Sequence, residues 1–160
     1  MITLSNSELA VTLTLDVVGY ESPEASDNWL LLKVNLTQAD KRFDRIDPAL
    51  ECIDIKRIHE WFSALSERRL PSSVRLWFTE PCLGLECYGH WDGRVRIAVN
   101  LACELRPPFL LRARDAGRDE WLDEELDGEE WSVWFDLTED DFFNILAKLE
   151  SYIQHYPARR

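Results

Sequence analysis

Long apolar runs are missing from this sequence. The longest, such as Trp29 to Leu32, fall far short of the roughly 20 residues that a helix needs to cross a bilayer, so no membrane span is expected. A secretory leader is missing too. Met1 to Leu4 carries neither a basic n-region nor a continuous apolar stretch, because Ser5, Asn6, Ser7 and Glu8 follow at once, and the expected location is the cytoplasm. Glycine and proline are sparse, at 6 and 7 of 160 residues, and neither gathers into a linker. With no internal repeat, residues 1–160 are expected to form one domain. A chain of this length buries roughly 70% of its unfolded surface and holds a core without covalent staples.

Cysteine is limited to Cys52, Cys82, Cys87 and Cys103. Without an export signal these thiols are expected to stay reduced and to act as small buried hydrophobes. Only Cys82 and Cys87 are close in sequence, and no histidine joins them at zinc-ligand spacing, so neither metal nor cofactor is expected. Basic residues are scarce: 18 Lys and Arg face 30 Asp and Glu, giving a net charge of −12. That balance repels phosphate backbones and disfavours direct nucleic-acid binding. It attracts basic proteins and raises their association rate, so a cationic protein partner is expected.

Catalytic signatures are absent as well. There is no G-x-S-x-G elbow, no phosphate-cradling glycine loop and no H-E-x-x-H helix. His59, His90 and His155 each have a structural reading, on a helix flank, before a turn and at a helix C-terminus where a cation is favoured. Paired carboxylates need no motif, and Glu80 with Glu86 near one strand keep open the alternative of a carboxylate-based hydrolase. The other alternative is a protein-binding scaffold or regulatory module.

What is present is mostly alternation. Leu9, Val11, Leu13, Leu15 and Val17 alternate with Ala10, Thr12, Thr14 and Asp16, the pattern of a strand with one buried face, and Ser5 to Glu8 turns a short first strand into it. Further strands are expected over Asn28 to about Leu36, Val74 to Thr79, and Trp131 to Asp136. Leu83, Leu85, Cys87 and Gly89 precede Asp92-Gly93, and Val95, Ile97, Val99 and Leu101 follow, which predicts a hairpin with a two-residue turn. Two segments change to helical spacing. Ile55, Ile58, Phe62 and Leu65 form a stripe over about 54–68, with Asp54 as the expected N-cap. Phe142, Ile145, Leu146, Leu149 and Ile153 form another over 138–155, opened by Thr138 and Asp141 as a capping box. The expected fold class is α+β, a mostly antiparallel sheet of about seven or eight strands with two packed helices.

The most distinctive segment is 115–130. Asp115, Asp119, Glu120, Asp123, Glu124, Glu125, Asp127, Glu129 and Glu130 are nine acids against one base, Arg118, for a net charge of −8 out of the chain's −12. Such a run is either a solvated loop or short exposed helix, or a docking face for cationic side chains. Trp121 stands among the acids, and tryptophan is the residue most enriched at interface hot spots. It either folds back as an anchor for the segment or inserts into a partner that the carboxylates steer.

Gly19-Tyr20-Glu21 with Pro23, then Asp27-Asn28-Trp29-Leu30 and Asp47-Pro48-Ala49-Leu50, are followed by Trp61, Phe78 with Glu80-Pro81, Leu83-x-Leu85-Glu86 and Pro157. In this order they resemble the WapI-type immunity protein family of bacteria, over about Val11 to Pro157. The resemblance implies a cytoplasmic protein that neutralises a toxin domain, in the best-known case a nuclease acting on tRNA, by tight one-to-one binding. A nuclease domain is commonly basic because it attracts phosphates, which suits the charge found here. Segment 115–130 is not part of the resemblance, and its assignment as the partner contact rests on charge alone. The motif positions themselves are expected to maintain the fold.

Overall fold

The computed structural model describes every residue except Ala25, Asp127 and Arg160, and Trp91 only through its backbone. Among the described residues, β1 (Ile2–Asn6), β2 (Val11–Tyr20), β3 (Trp29–Gln38) and β4 (Lys41–Glu51) form one antiparallel sheet in that order. The helix α1 (Cys52–Ser66) follows directly. A second sheet takes β5 (Arg75–Trp77), β6 (Leu83–Trp91), β7 (Arg94–Leu101) and β10 (Trp131–Leu137) in the order β10-β7-β6-β5. Between them in the chain, β8 (Arg112–Asp115) and β9 (Glu120–Glu125) pair as a separate hairpin, and α2 (Glu139–His155) ends the fold. The architecture is α+β with antiparallel sheets, as the patterning predicts.

The strand alternation converts directly into burial. Leu13, Leu15 and Val17 of β2, Leu30, Leu32, Val34 and Leu36 of β3, and Val95, Ile97, Val99 and Leu101 of β7 all face one core. Both helices close over it. Ile55, Ile58 and Phe62 meet Leu149 and Tyr152 beside Leu4, Leu83 and Leu85 around a cavity of about 30 Å³. The rings of Phe62 and Phe142 meet edge to face at 6.4 Å, which fixes α1 against α2. The two sheets adjoin where the β1 and β10 edges meet. Asn6, almost fully buried, donates from Nδ2 to Trp134 O at 2.8 Å and accepts from Leu9 N at 2.9 Å.

The expected hairpin turn is present. Asp92 and Gly93 have φ of 52° and 75°, the double left-handed conformation that a two-residue turn needs and that glycine adopts without strain. Thr138 caps α2, with Oγ1 accepting from Asp141 N at 3.2 Å and the Asp141 carboxylate accepting from Thr138 N at 2.9 Å. The start of α1 differs from expectation. Its N-cap is Glu51, and Asp54 sits at N3, where its carboxylate accepts from Glu51 N at 2.8 Å. Three strands were not foreseen: β4, β8 and β9. Cys52 and Cys82 are buried, but Cys87 is half-buried and Cys103 is exposed, which corrects the expected burial of these two. Burial pushes the Cys82 thiol up to about 11.

Candidate partner-binding surface

Segment 115–130 contains the last residue of β8, a turn over 116–119 and the whole of β9, with no regular structure among its described residues after Glu125. It is the outer half of a β-arm whose inner strand is seated on the first sheet. Leu111 and Ala113 are buried beneath β8. Gln38, at the end of β3, accepts from Arg112 N at 2.7 Å and donates to both Arg112 O and Leu9 O at 2.9 Å. Lys41 donates to Leu110 O at 2.7 Å, and Leu126 N to Leu111 O at 2.6 Å closes the base of the arm. Arg114 reaches from β8 to Ser7 O at 3.3 Å. With β8 held this way, β9 is the outer strand, and every residue of it except Trp121 is exposed.

The expected partner-binding residues fall into two groups. Asp115 stands 3.7 Å from Arg118, Asp123 3.7 Å from Arg112, Glu125 3.8 Å from Lys41 and Glu130 2.8 Å from Arg75, while Asp119 pairs with Arg114. Glu120, Glu124 and Glu129 have no ion pair among the described residues, although Glu129 O accepts from Arg106 at 3.3 Å. Asp127 lies outside the described residues. Counting Lys41, Arg75, Arg112, Arg114 and Arg118 against the nine acids lowers the local charge to −4. The pairs do not bury the carboxylates: the Asp119 and Asp123 side chains are 83% and 106% exposed. Exposed pairs of this kind contribute about 0–1 kcal/mol each and leave a carboxylate free to exchange partners.

Trp121 lies on the arm with the Arg112 and Arg114 guanidinium groups 5.8 Å and 5.5 Å from its ring centre. It is half-buried, and Leu122 beside it is 38% exposed. The residues that order this arm differ in how far the sequence announces them. Arg112 and Arg114 alternate just before the acids and carry a period-two signal that was available. Lys41, Arg75 and Gln38 are remote in sequence and carry none.

Positions behind the family resemblance converge elsewhere. Tyr20 donates to Pro157 O at 2.6 Å, and the Asn28 side chain exchanges hydrogen bonds with the Arg159 backbone at 2.6 Å and 3.2 Å. Cys52 N donates to Asn28 O at 3.0 Å, and the Arg159 guanidinium stacks 3.8 Å from the Tyr20 ring centre. Trp61, Ala49, Leu50, Phe78, Leu83 and Leu85 are all buried. These residues tie the C-terminal segment to β2, β3 and α1, or fill the core, and none is gathered into a reactive cluster.

The remaining chemical candidates are dispersed. Glu86 stands 3.8 Å from Arg75 and accepts from Tyr88 at 3.3 Å, while Glu80 is exposed before β6. His59 is 3.2 Å from Glu150, and His155 Nδ1 lies 2.9 Å from Ser151 O. Among the described residues, no group of three or more His, Cys, Asp and Glu side chains is placed to hold a metal ion. No helix among them is long and apolar enough to cross a membrane.

The class that these elements define is an α+β core of antiparallel sheets and two helices carrying a charged β-arm on its surface. The chain belongs to the immunity protein WapI-like family, whose model matches residues 3–157. No curated protein and no solved structure matches it.

Proposed function

We propose that the chain acts in the cytoplasm as the immunity protein of a cognate toxin, binding a basic toxin domain and covering its functional surface without catalysing a reaction. The observation that carries this reading is the family membership over residues 3–157, joined to a net charge of −12. A toxin domain that acts on nucleic acid gathers lysine and arginine where phosphates lie. An acidic protein that occupies the same ground excludes the substrate by competition.

In this reading the β8–β9 arm is the steering element. Asp115, Asp119, Glu120, Asp123, Glu124, Glu125, Asp127, Glu129 and Glu130 supply the field, and the bonds of Gln38 and Lys41 to β8 and its approach hold the arm in place. Exposed ion pairs exchange at little cost, so a partner's lysines replace internal arginines without a large penalty. Growth rescue tests the function. Co-expression with candidate toxin domains encoded in neighbouring genes should restore growth for the cognate one, and failure to rescue against all of them removes the immunity reading. Steering is tested separately. The association rate should fall by about tenfold or more between low and physiological salt, and a salt-insensitive rate would exclude the arm from that role.

A further inference from the structure

The second sheet has an outer face that the immunity reading leaves unused. Cross-strand register places Trp77, Gly84, Asn100 and Ser132 in one row, and Arg75, Glu86, Ala98 and Trp134 in the next. Their neighbours Leu76, Leu85, Val99 and Val133 point into the core, so both rows lie on the opposite side. Gly84, Ala98 and Asn100 in the middle of this face are buried and Glu86 beside them is half-buried, so the face presents mainly its flanking side chains. Tryptophans stand on both flanks, and Tyr88 is 58% exposed beside Glu86.

Three properties mark the face as a contact surface. Its large side chains are Trp, Tyr and Arg, the types enriched at interface hot spots. They are held before any partner arrives: Trp77 lies against Gly84, and Arg96 is stacked 3.8 Å from the Trp134 ring centre while bonded to Asp136 at 2.8 Å and 2.9 Å. Asn100, only 2% exposed, has no hydrogen-bond partner for either side-chain amide atom among the described residues. A buried carboxamide without partners is a standing desolvation cost located on this face. Charge on the face does not oppose a cationic partner. Both arginines are already neutralised, Arg75 by Glu130 and Glu86 and Arg96 by Asp136. Glu130 also joins it to the acidic arm.

We propose that this outer face, centred on Tyr88, Ser132, Trp77 and Trp134, is the anchoring surface for the toxin domain, taking an apolar patch ringed by lysine and arginine. The inference rests on the immunity reading and adds a division of labour. The arm sets the rate of encounter, and the sheet face sets the lifetime of the complex.

Tyr88→Ala and Ser132→Arg alter exposed positions and leave the packed tryptophans intact. Phe143→Arg, at a site 75% exposed on α2, serves as control. Binding is measured against an inactivated form of the toxin domain identified by growth rescue, with melting temperature and sedimentation recorded for each free variant. Tyr88→Ala and Ser132→Arg should each raise the dissociation rate by about tenfold or more. Association rate and melting temperature should hardly change, and Phe143→Arg should match wild type in all three. Dissociation within about twofold of wild type for both face variants would overturn the anchoring role while leaving immunity intact. A wild-type dimer dispersed by Ser132→Arg would also overturn it, by making a second copy the occupant. If wild type neither binds nor rescues, the immunity reading falls and this inference falls with it.

Discussion

The carboxamide of Gln38 and the peptide backbone of Arg112 bond to one another in both directions, Arg112 N donating to Oε1 at 2.7 Å and Nε2 donating to Arg112 O at 2.9 Å. With its second N–H on Leu9 O at 2.9 Å and only 1% exposure, this side chain continues the end of β3 into β8 as a strand would. Gln38→Leu keeps the apolar stem and removes every one of these bonds. It leaves buried backbone groups unpaired, which costs about 1–3 kcal/mol. In urea unfolding the midpoint should fall accordingly. Amide exchange should quicken across 112–126 and stay slow in β2 and β7. Unchanged protection in the arm would show that Lys41 and the buried Leu111 hold it alone.

A close approach elsewhere makes glycine necessary. A Cβ built on Gly84 would stand 2.6, 2.7 and 2.8 Å from three ring carbons of Trp77. The ring belongs to an edge strand of three residues, so it is Trp77 that must move. Gly84→Ala should destabilise by about 1–3 kcal/mol, the usual penalty for overpacking, and should change the tryptophan emission. A variant that melts and fluoresces like wild type would mean that the ring has another stable seat.

The elements that sequence reasoning found are those whose signal is local. β2, β3, β7 and β10 alternate cleanly, and Asp92-Gly93 and Thr138 with Asp141 announce their turn and cap. β4 escaped because it is an edge strand: of its eleven residues only Ala49 and Leu50 are buried, and Pro48 sits where an edge tolerates a missing donor. The register shift between Leu30 and Leu32 lies opposite that proline. The start of α1 was placed late because a carboxylate at N3 that bonds backward reads in sequence like an N-cap. The outer strand of the acidic arm had no alternating apolar face to detect, because β9 is exposed except at Trp121, and Gln38 and Lys41, which hold the inner strand, come from more than 60 residues away. The outer face of the second sheet was invisible for a related reason. Trp77, Gly84, Asn100 and Ser132 become neighbours only through pairing register.

Asp47 gives the fold a pH dependence of known sign. Burial raises its carboxyl above the ordinary aspartate value, Glu104 and Glu80 add to the shift, and Arg45 opposes it. A carboxyl whose pKa is higher in the folded state favours the protonated form there. Its contribution is therefore fully present below the unfolded value of about 3.9 and is lost as pH rises through the folded value. Asp47→Asn should accordingly stabilise the protein at neutral pH, by no more than about 1 kcal/mol. The advantage should vanish below about pH 4. An equal gain at both pH values would trace the effect to packing instead of charge.

Trp121 can be assigned by separating stability from binding. The two guanidinium groups beside its ring do not depend on it for position, since Arg112 also donates to Leu122 O at 3.1 Å and Arg114 to Ser7 O at 3.3 Å. Each exposed cation–π contact contributes about 0.5–1 kcal/mol, so Trp121→Ala should lower stability by about 1–2 kcal/mol if the ring is an anchor for the arm. Trp121→Phe should then recover part of the loss, because a smaller ring keeps the same stacking. Thermal unfolding of both variants, read beside their toxin-binding rates, decides the matter. An unchanged melting temperature with a faster dissociation rate would move Trp121 from the interior of the arm to the contact itself.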